Sequence, residues 1–178
     1  MLKKILIGVA VIIVAFIAVV ALQPSDYRVT RSATIAAPAA DVFAQVNNFK
    51  NWETWSPWAK LDPAAKATFE GPAAGTGAIF KWDGNAQVGA GTMTLMESRP
   101  GELVRIKLDF VKPMAATSTA EFTFKPQGNQ TELTVTVTGE KNFLAKAFCL
   151  FMSMDKMIGG KFEKAFVDLK AIAESPAK

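Results

Sequence analysis

The sequence predicts an α+β domain: a curved antiparallel sheet of six to seven strands wrapped around one long C-terminal helix, preceded by an N-terminal transmembrane helix. Three observations predict it. Between Tyr27 and Gly139 the chain runs through short segments in which apolar and polar residues alternate, the period of a strand with one face buried. From Asn142 to Glu174 the period changes, and Leu144, Ala147, Phe151, Met154, Ile158, Phe162, Phe166, Leu169 and Ile172 recur at steps of three and four. That spacing predicts one amphipathic helix of about nine turns, bent or broken near Gly159-Gly160. At the other end, Ile5 to Leu22 carries no charge at all. A sheet with one apolar face needs a cover, and the C-terminal helix is the soluble segment long enough to provide it.

Composition bounds the chemistry. Half of the 178 residues are hydrophobic, enough for a sizeable core. Lys3 and Lys4 account for two of the four net positive charges, leaving 18 basic against 16 acidic residues downstream. With no run of Lys/Arg interleaved with aromatics, a nucleic-acid surface is not expected. Cys149 is the single cysteine, so no intrachain disulfide forms. There is no histidine. That excludes nucleophile activation by a Ser-His-Asp or Cys-His pair and removes the commonest transition-metal ligand. Chemistry would have to run on carboxylates, lysines, Tyr27 or water, and burial of a ligand needs none of them. Neither a cofactor nor a metal is expected.

Taken in order, residues 1–22 read as a membrane anchor. Eighteen residues at about 1.5 Å each give roughly 27 Å, close to the hydrocarbon thickness of a bilayer. Lys3 and Lys4 would mark the cytoplasmic end, placing the domain on the periplasmic or extracellular side. A cleaved signal sequence is the rival reading, although its apolar stretch is normally shorter. Residues 23–26 form a linker, 27–174 the folded domain and 175–178 a tail. Tyr27 to Ile35 alternates as a strand. Pro38 is placed to open a short helix over Ala39 to Val46. Trp52, Trp55 and Trp58 follow at spacing three, with Pro57 pointing to a short helix running into a compact loop. Glu70 to Gly77 is a glycine-rich turn without the lysine and helix of a phosphate-binding loop. Further strands are expected at Ala67–Phe69, Ala78–Trp82, Gly89–Ser98, Leu103–Phe110, Ser118–Lys125 and Thr131–Gly139, with Asp83-Gly84 as a tight hairpin signal.

The text of the chain adds a resemblance. The stretch IAAPAADVFAQVNNFKNWETWSPWAKLDP, with Ala37-Pro38, Val42-Phe43 and Trp52 through Trp58, resembles the opening of bacterial proteins of the polyketide cyclase/dehydrase and lipid-transport family. GAIFKWDGN (Gly77 to Asn85), GAGTMTLMES (Gly89 to Ser98) and LFMSMDKMIGGKFEKAFVDLK (Leu150 to Lys170) are similar to it as well. That family belongs to the START-like, or SRPBCC, superfamily, whose helix-grip fold is shared with Bet v 1-like pollen allergens. The resemblance covers about residues 27 to 174. It implies a deep, mostly apolar cavity between sheet and helix, and no catalytic residue of the cyclases can be matched to a position here.

The expected function is therefore binding of a hydrophobic small molecule or lipid at a membrane surface. The residues expected to line the site are Trp55, Trp58, Trp82, Val104, Ile106, Phe110, Phe122, Phe124, Met154 and Ile158. Met93, Met96, Met114, Met152 and Met157 are further wall candidates, because methionine adapts to irregular apolar shapes. Scattered acids such as Glu53, Glu97 and Asp109 read as solvated surface. Asp155-Lys156, amid apolar residues, reads as an exposed pair or as a polar group facing a head group. The Phe143 to Ile158 half of the long helix is apolar outside the main stripe too, as at a pocket mouth, a membrane surface or a partner contact. Two alternatives remain open: a cyclase- or dehydratase-like enzyme acting on a bound apolar substrate, and an envelope interaction module without a ligand. No feature of the sequence points to an oligomeric state.

Overall fold

A computed structural model describes residues 1–175. Helix α1 (Leu2–Ala21) leads, and four residues separate it from the first strand. Then come β1 (Asp26–Ile35), α2 (Ala39–Asn47), a 3-10 turn (Phe49–Asn51), α3 (Trp52–Trp55) and α4 (Pro57–Leu61). A run of strands follows: β2 (Lys66–Glu70), β3 (Ile79–Asp83), β4 (Ala90–Arg99), β5 (Leu103–Lys112), β6 (Ala116–Gln127) and β7 (Gln130–Glu140). The chain closes with α5 (Phe143–Cys149), a π-helical turn (Asp155–Gly159) and α6 (Gly160–Ala173). The seven strands form one antiparallel sheet in the order β1-β7-β6-β5-β4-β3-β2.

The register follows from alternation. Val29, Val137, Ala120, Ile106 and Leu95 stand side by side across five strands, and all are buried. The opposite face carries Thr30 against Thr136 and Ser32 against Thr134, joined through their hydroxyls at 3.1 and 2.7 Å. A bulge in β4 shifts the phase after Leu95. Met96 points outward by alternation from Leu95, and the bulge keeps the next residue, Glu97, outward as well, beside Arg105, which also binds Glu121 at 2.8 Å. Such bulges re-aim side chains without ending the strand pairing.

α6 covers the inner face as expected. Phe162, Ala165, Phe166 and Leu169 are buried, one stripe at helical spacing. Two tethers fix its end: Lys60 on α4 to Asp168 at 2.6 Å, and the Ala36 amide donating to Glu174 at 2.8 Å.

The expected single helix over Asn142–Glu174 is not what forms. Asn142 caps α5 by accepting from the Ala145 amide at 2.8 Å, and α5 ends at Cys149. The chain turns through residues 150–154 and re-enters the helical path in the π turn. No glycine or proline marks that break. Its cause is on both sides of it. The 143–152 stretch is apolar on every side but for Lys146, so no one face holds it to the sheet, and none of α5 is buried. Beyond it, Arg31 of β1 grips the next segment. Its guanidinium donates to both carboxylate oxygens of Asp155 at 2.8 Å and to Glu163 at 2.7 Å.

This contact also explains Gly159. A Cβ there would lie 2.2 Å from Arg31 Nη2, so only glycine lets the guanidinium rest on the helix backbone. The double glycine near the expected bend thus serves a close approach. Asp155 and Lys156 are both exposed, as expected of a surface pair, and the Asp155 carboxylate is bound by Arg31 rather than by Lys156. The Asp83-Gly84 signal also resolves differently. β3 and β4 are joined by residues 84–89 rather than a two-residue hairpin. The Asp62 carboxylate, accepting from the Asn85 amide at 2.7 Å, ties this loop to α4.

Candidate functional site

The inner face of the sheet is divided into two halves. In the closed half, α2, α3, α4 and α6 press on the strands, and the space between is filled with rings. Trp52 stacks tilted on Trp55 at 4.6 Å and meets Phe122 edge-on at 5.7 Å. Phe122 meets Phe162 of α6 at 6.0 Å, and Phe162 meets Trp58 at 5.4 Å. Phe124 meets Phe43 of α2 at 5.5 Å. The indole N–H groups of Trp52 and Trp55 donate to the carbonyls of Val46 and Gln45, so burying them leaves no orphaned donor.

In the open half, β2, β3 and β5 present aromatic residues that remain half-exposed. Phe69 lies 5.2 Å from Phe80, Phe80 stacks on Trp82 at 6.0 Å, and Trp82 meets Phe110 edge-on at 5.7 Å. Leu108 and buried Met93 fill the row beside them. Gly91 makes this shelf feasible, since a Cβ there would lie 2.6 Å from the Trp82 ring. Trp82 Nε1 donates to the Val88 carbonyl at 3.0 Å, which holds the ring flat. The shelf continues into the closed half through Phe49, 6.2 Å from Phe80 and 5.7 Å from Trp52.

One polar feature shares the row. Tyr27 crosses Gly139, where a Cβ would fall 2.8 Å from its hydroxyl oxygen, and that hydroxyl bonds Ser118 Oγ at 2.7 Å. This pair borders a shallow trough of about 710 Å³ over the adjoining ends of β1, β6 and β7. A smaller cavity of about 170 Å³ lies at the other edge, between Phe49, Phe69 and the Gly71–Ala73 loop.

The predicted residues fall into two sets. Trp55, Val104, Ile106, Phe122 and Phe124 are buried in the closed half. Trp58, Trp82, Phe110, Met154 and Ile158 are half-buried, with Trp82 and Phe110 in direct contact. None of the ten lines either cavity described above. Among the methionine wall candidates, Met93 is buried, but Met96, Met114, Met152 and Met157 are exposed. Met96 follows inward-facing Leu95 and so points outward by alternation, and the break after α5 leaves Met152 and Met157 outside the covered region. Phe69, Phe80, Leu108, Ser118 and Arg31 were missed. Phe80 and Leu108 stand two residues before Trp82 and Phe110, so alternation alone carries that signal; the others depend on which strands are neighbours.

The charged groups near the site are structural. The Arg31 guanidinium holds the Asp155 carboxyl below the usual carboxylate range by hydrogen bonding and charge. Asp109 is lowered by its hydrogen bond from Lys107. Among the described residues no three His, Cys, Asp or Glu side chains gather as a metal site would require. What the arrangement offers is apolar and aromatic area beside one hydroxyl pair, which suits burial of an apolar molecule with one polar end.

With that geometry in hand, the relatives are informative. The chain belongs to the family described as polyketide cyclase/dehydrase and lipid transport, whose model matches residues 26–174. Solved structures share the fold at low identity. Protein CV1439 from Chromobacterium violaceum is 15% identical with a TM-score of 0.60, covering 86% of this chain and 99% of its own. The allergen Ara h 8.0201 is 10% identical with a TM-score of 0.57, covering 84% and 98%. The di-domain ARO/CYC protein BexL, from the BE-7585A biosynthetic pathway, is 16% identical with a TM-score of 0.64. The match to BexL covers 89% of this chain and 53% of BexL. No curated protein matches the chain.

Proposed function

We propose that this member of the polyketide cyclase/dehydrase and lipid-transport family binds a hydrophobic small molecule or lipid on its aromatic shelf, next to a membrane to which α1 tethers it. The observation that carries the reading is the half-exposed row Phe69, Phe80, Trp82 and Phe110 on the inner face of the sheet. Soluble domains normally cover such a surface, and removing it from water is worth about 25 cal/mol per Å² before the costs of association. The buried set, from Val104 to Phe124, lies beside it on the same face of the sheet, packed under the helices of the closed half. The Tyr27–Ser118 pair supplies a donor and an acceptor for a polar end. The family's lipid-transport description is in keeping with this chemistry.

The tether reading rests on α1, twenty residues with mean hydropathy 2.9 over its most apolar window. Lys3 and Lys4 at its start favour a cytoplasmic N-terminus, which puts the domain on the opposite side.

Native mass spectrometry of the full chain in mild detergent, followed by extraction of whatever remains bound, tests the binding reading. The expected result is a retained apolar molecule whose occupancy falls roughly tenfold in the Trp82→Ala/Phe110→Ala double variant, equivalent to about 1.4 kcal/mol. Equal occupancy in that variant, or no retained molecule at any detergent concentration, would overturn it.

A further inference from the structure

The segment from Phe143 to Met157 carries six large apolar side chains with nothing folded over them. Phe143, Leu144, Phe148, Phe151, Met152 and Met157 are 40% to 81% exposed, and Phe151 is the most exposed of them. Elsewhere in the folded domain such side chains are few: Met96 and Val167 stand alone, and Val111 and Met114 share one strand end. Scattered exposure is ordinary; six in fifteen residues is a patch that marks an interface.

Its position says what it meets. α5 packs against α1, and the one buried residue of α1 is Val20, in its last turn. The patch therefore lies at the end of α1 next to the domain, where a spanning helix leaves the hydrocarbon. The charges agree. Lys141, Lys146, Lys156, Lys161 and Lys164 punctuate the segment and the start of α6, and among the described residues none of them is in an ion pair. The two acids in the same stretch, Asp155 and Glu163, are both held by Arg31. What remains facing outward is apolar and cationic, the composition of a segment lying in the headgroup boundary of an anionic leaflet.

We infer that residues 143–157 form a second membrane contact, seated in the headgroup–acyl boundary beside α1. The inference rests on α1 spanning the bilayer and is independent of whether the shelf holds a ligand. Seated there, the turn at 150–154 inserts Phe151, and the lysines meet lipid phosphates. The break in the C-terminal helix then has a use. A continuous helix would lay α5 over the sheet, whereas the break turns it towards the lipid.

The test uses the full chain with Cys149→Ser, which frees a single engineered cysteine for a fluorescent label. Labels at Phe151→Cys, Ile13→Cys and Thr123→Cys are read in vesicles of phosphatidylcholine and phosphatidylglycerol whose acyl chains are brominated. The expected result is strong quenching at Ile13, intermediate quenching at Phe151 and none at Thr123, on the outer face of the sheet. Adding Leu144→Asp and Phe148→Asp should cut quenching at Phe151 at least threefold while leaving Ile13 unchanged. Quenching at Ile13 with Phe151 as unquenched as Thr123 overturns the inference and spares the anchor. No quenching at Ile13 overturns both. A Phe151 label that is unquenched but crosslinks to a second copy would show a protein interface instead, and would also overturn it.

Discussion

The closed and open halves of the sheet are built from the same material and end differently. Both are clusters of phenylalanine and tryptophan, carried by strands in the open half and by the helices and β6 in the closed half, and one unbroken chain of ring contacts runs from Phe110 through Phe80, Phe49 and Trp52 to Phe162. In the closed half every ring has a helix above it. In the open half the helix that would lie there has turned away. Composition therefore does not decide which aromatic is core and which is available. The path of the covering segment decides it, and that path is set by Arg31, Asp155 and Gly159.

If that is right, equal truncations in the two halves should have unequal effects. Phe122→Ala removes a fully buried ring and should lose about 3–5 kcal/mol, read as a shift in urea midpoint. Trp82→Ala removes a larger ring from the shelf yet should lose under about 2 kcal/mol, since part of that ring already meets water. Equal losses would erase the distinction. A smaller global effect, but a sharp local one, is expected from Gly159→Ala. The new methyl group must displace the Arg31 guanidinium, so amide exchange over residues 155–163 should accelerate about tenfold with the midpoint little changed. Unaltered exchange there would show that the clamp does not direct the segment.

The same clamp has a pH signature. Asp155 is lowered in the folded chain, so its stabilising effect is fully present above an ordinary aspartate value of about 3.9 and fades as the pH falls through the lowered folded value. Protection over residues 155–163, taken relative to the intrinsic exchange rate that itself slows in acid, should fall in that range, and Arg31→Met should abolish the dependence. The smallest effect belongs to the hydroxyl pair: Tyr27→Phe should lose about 0.5–1.5 kcal/mol and leave the fold intact. If the pair anchors a polar end, the bound molecule should weaken by a comparable factor, whereas undiminished binding would assign the pair to the strands alone.

Much of the fold was legible because it rests on period. β5 alternates through Val104, Ile106, Leu108 and Phe110, and α6 repeats Phe162, Phe166 and Leu169, so burial by face could be read directly. Six to seven strands and the short helix after Pro38 were expected, and seven strands form. What period does not contain is the break after Cys149. Residues 150–154 are Leu-Phe-Met-Ser-Met, good helix material, and the chain departs there because of an arginine more than a hundred residues upstream in β1. The candidate site was half legible for a related reason. Trp82 and Phe110 could be chosen from alternation, but their meeting depends on register across Gly91. Phe122 and Ile106 were read as wall when helices lie directly on them.

The short join between α1 and β1 has a kinetic meaning. Four residues reach at most about 14 Å, so with α1 in a bilayer the domain cannot diffuse away from that surface. Lipid and shelf then share one small volume, and exchange between them is governed by an effective concentration rather than by how much protein is present. Dilution should leave such exchange unchanged, whereas lengthening the leash should slow it.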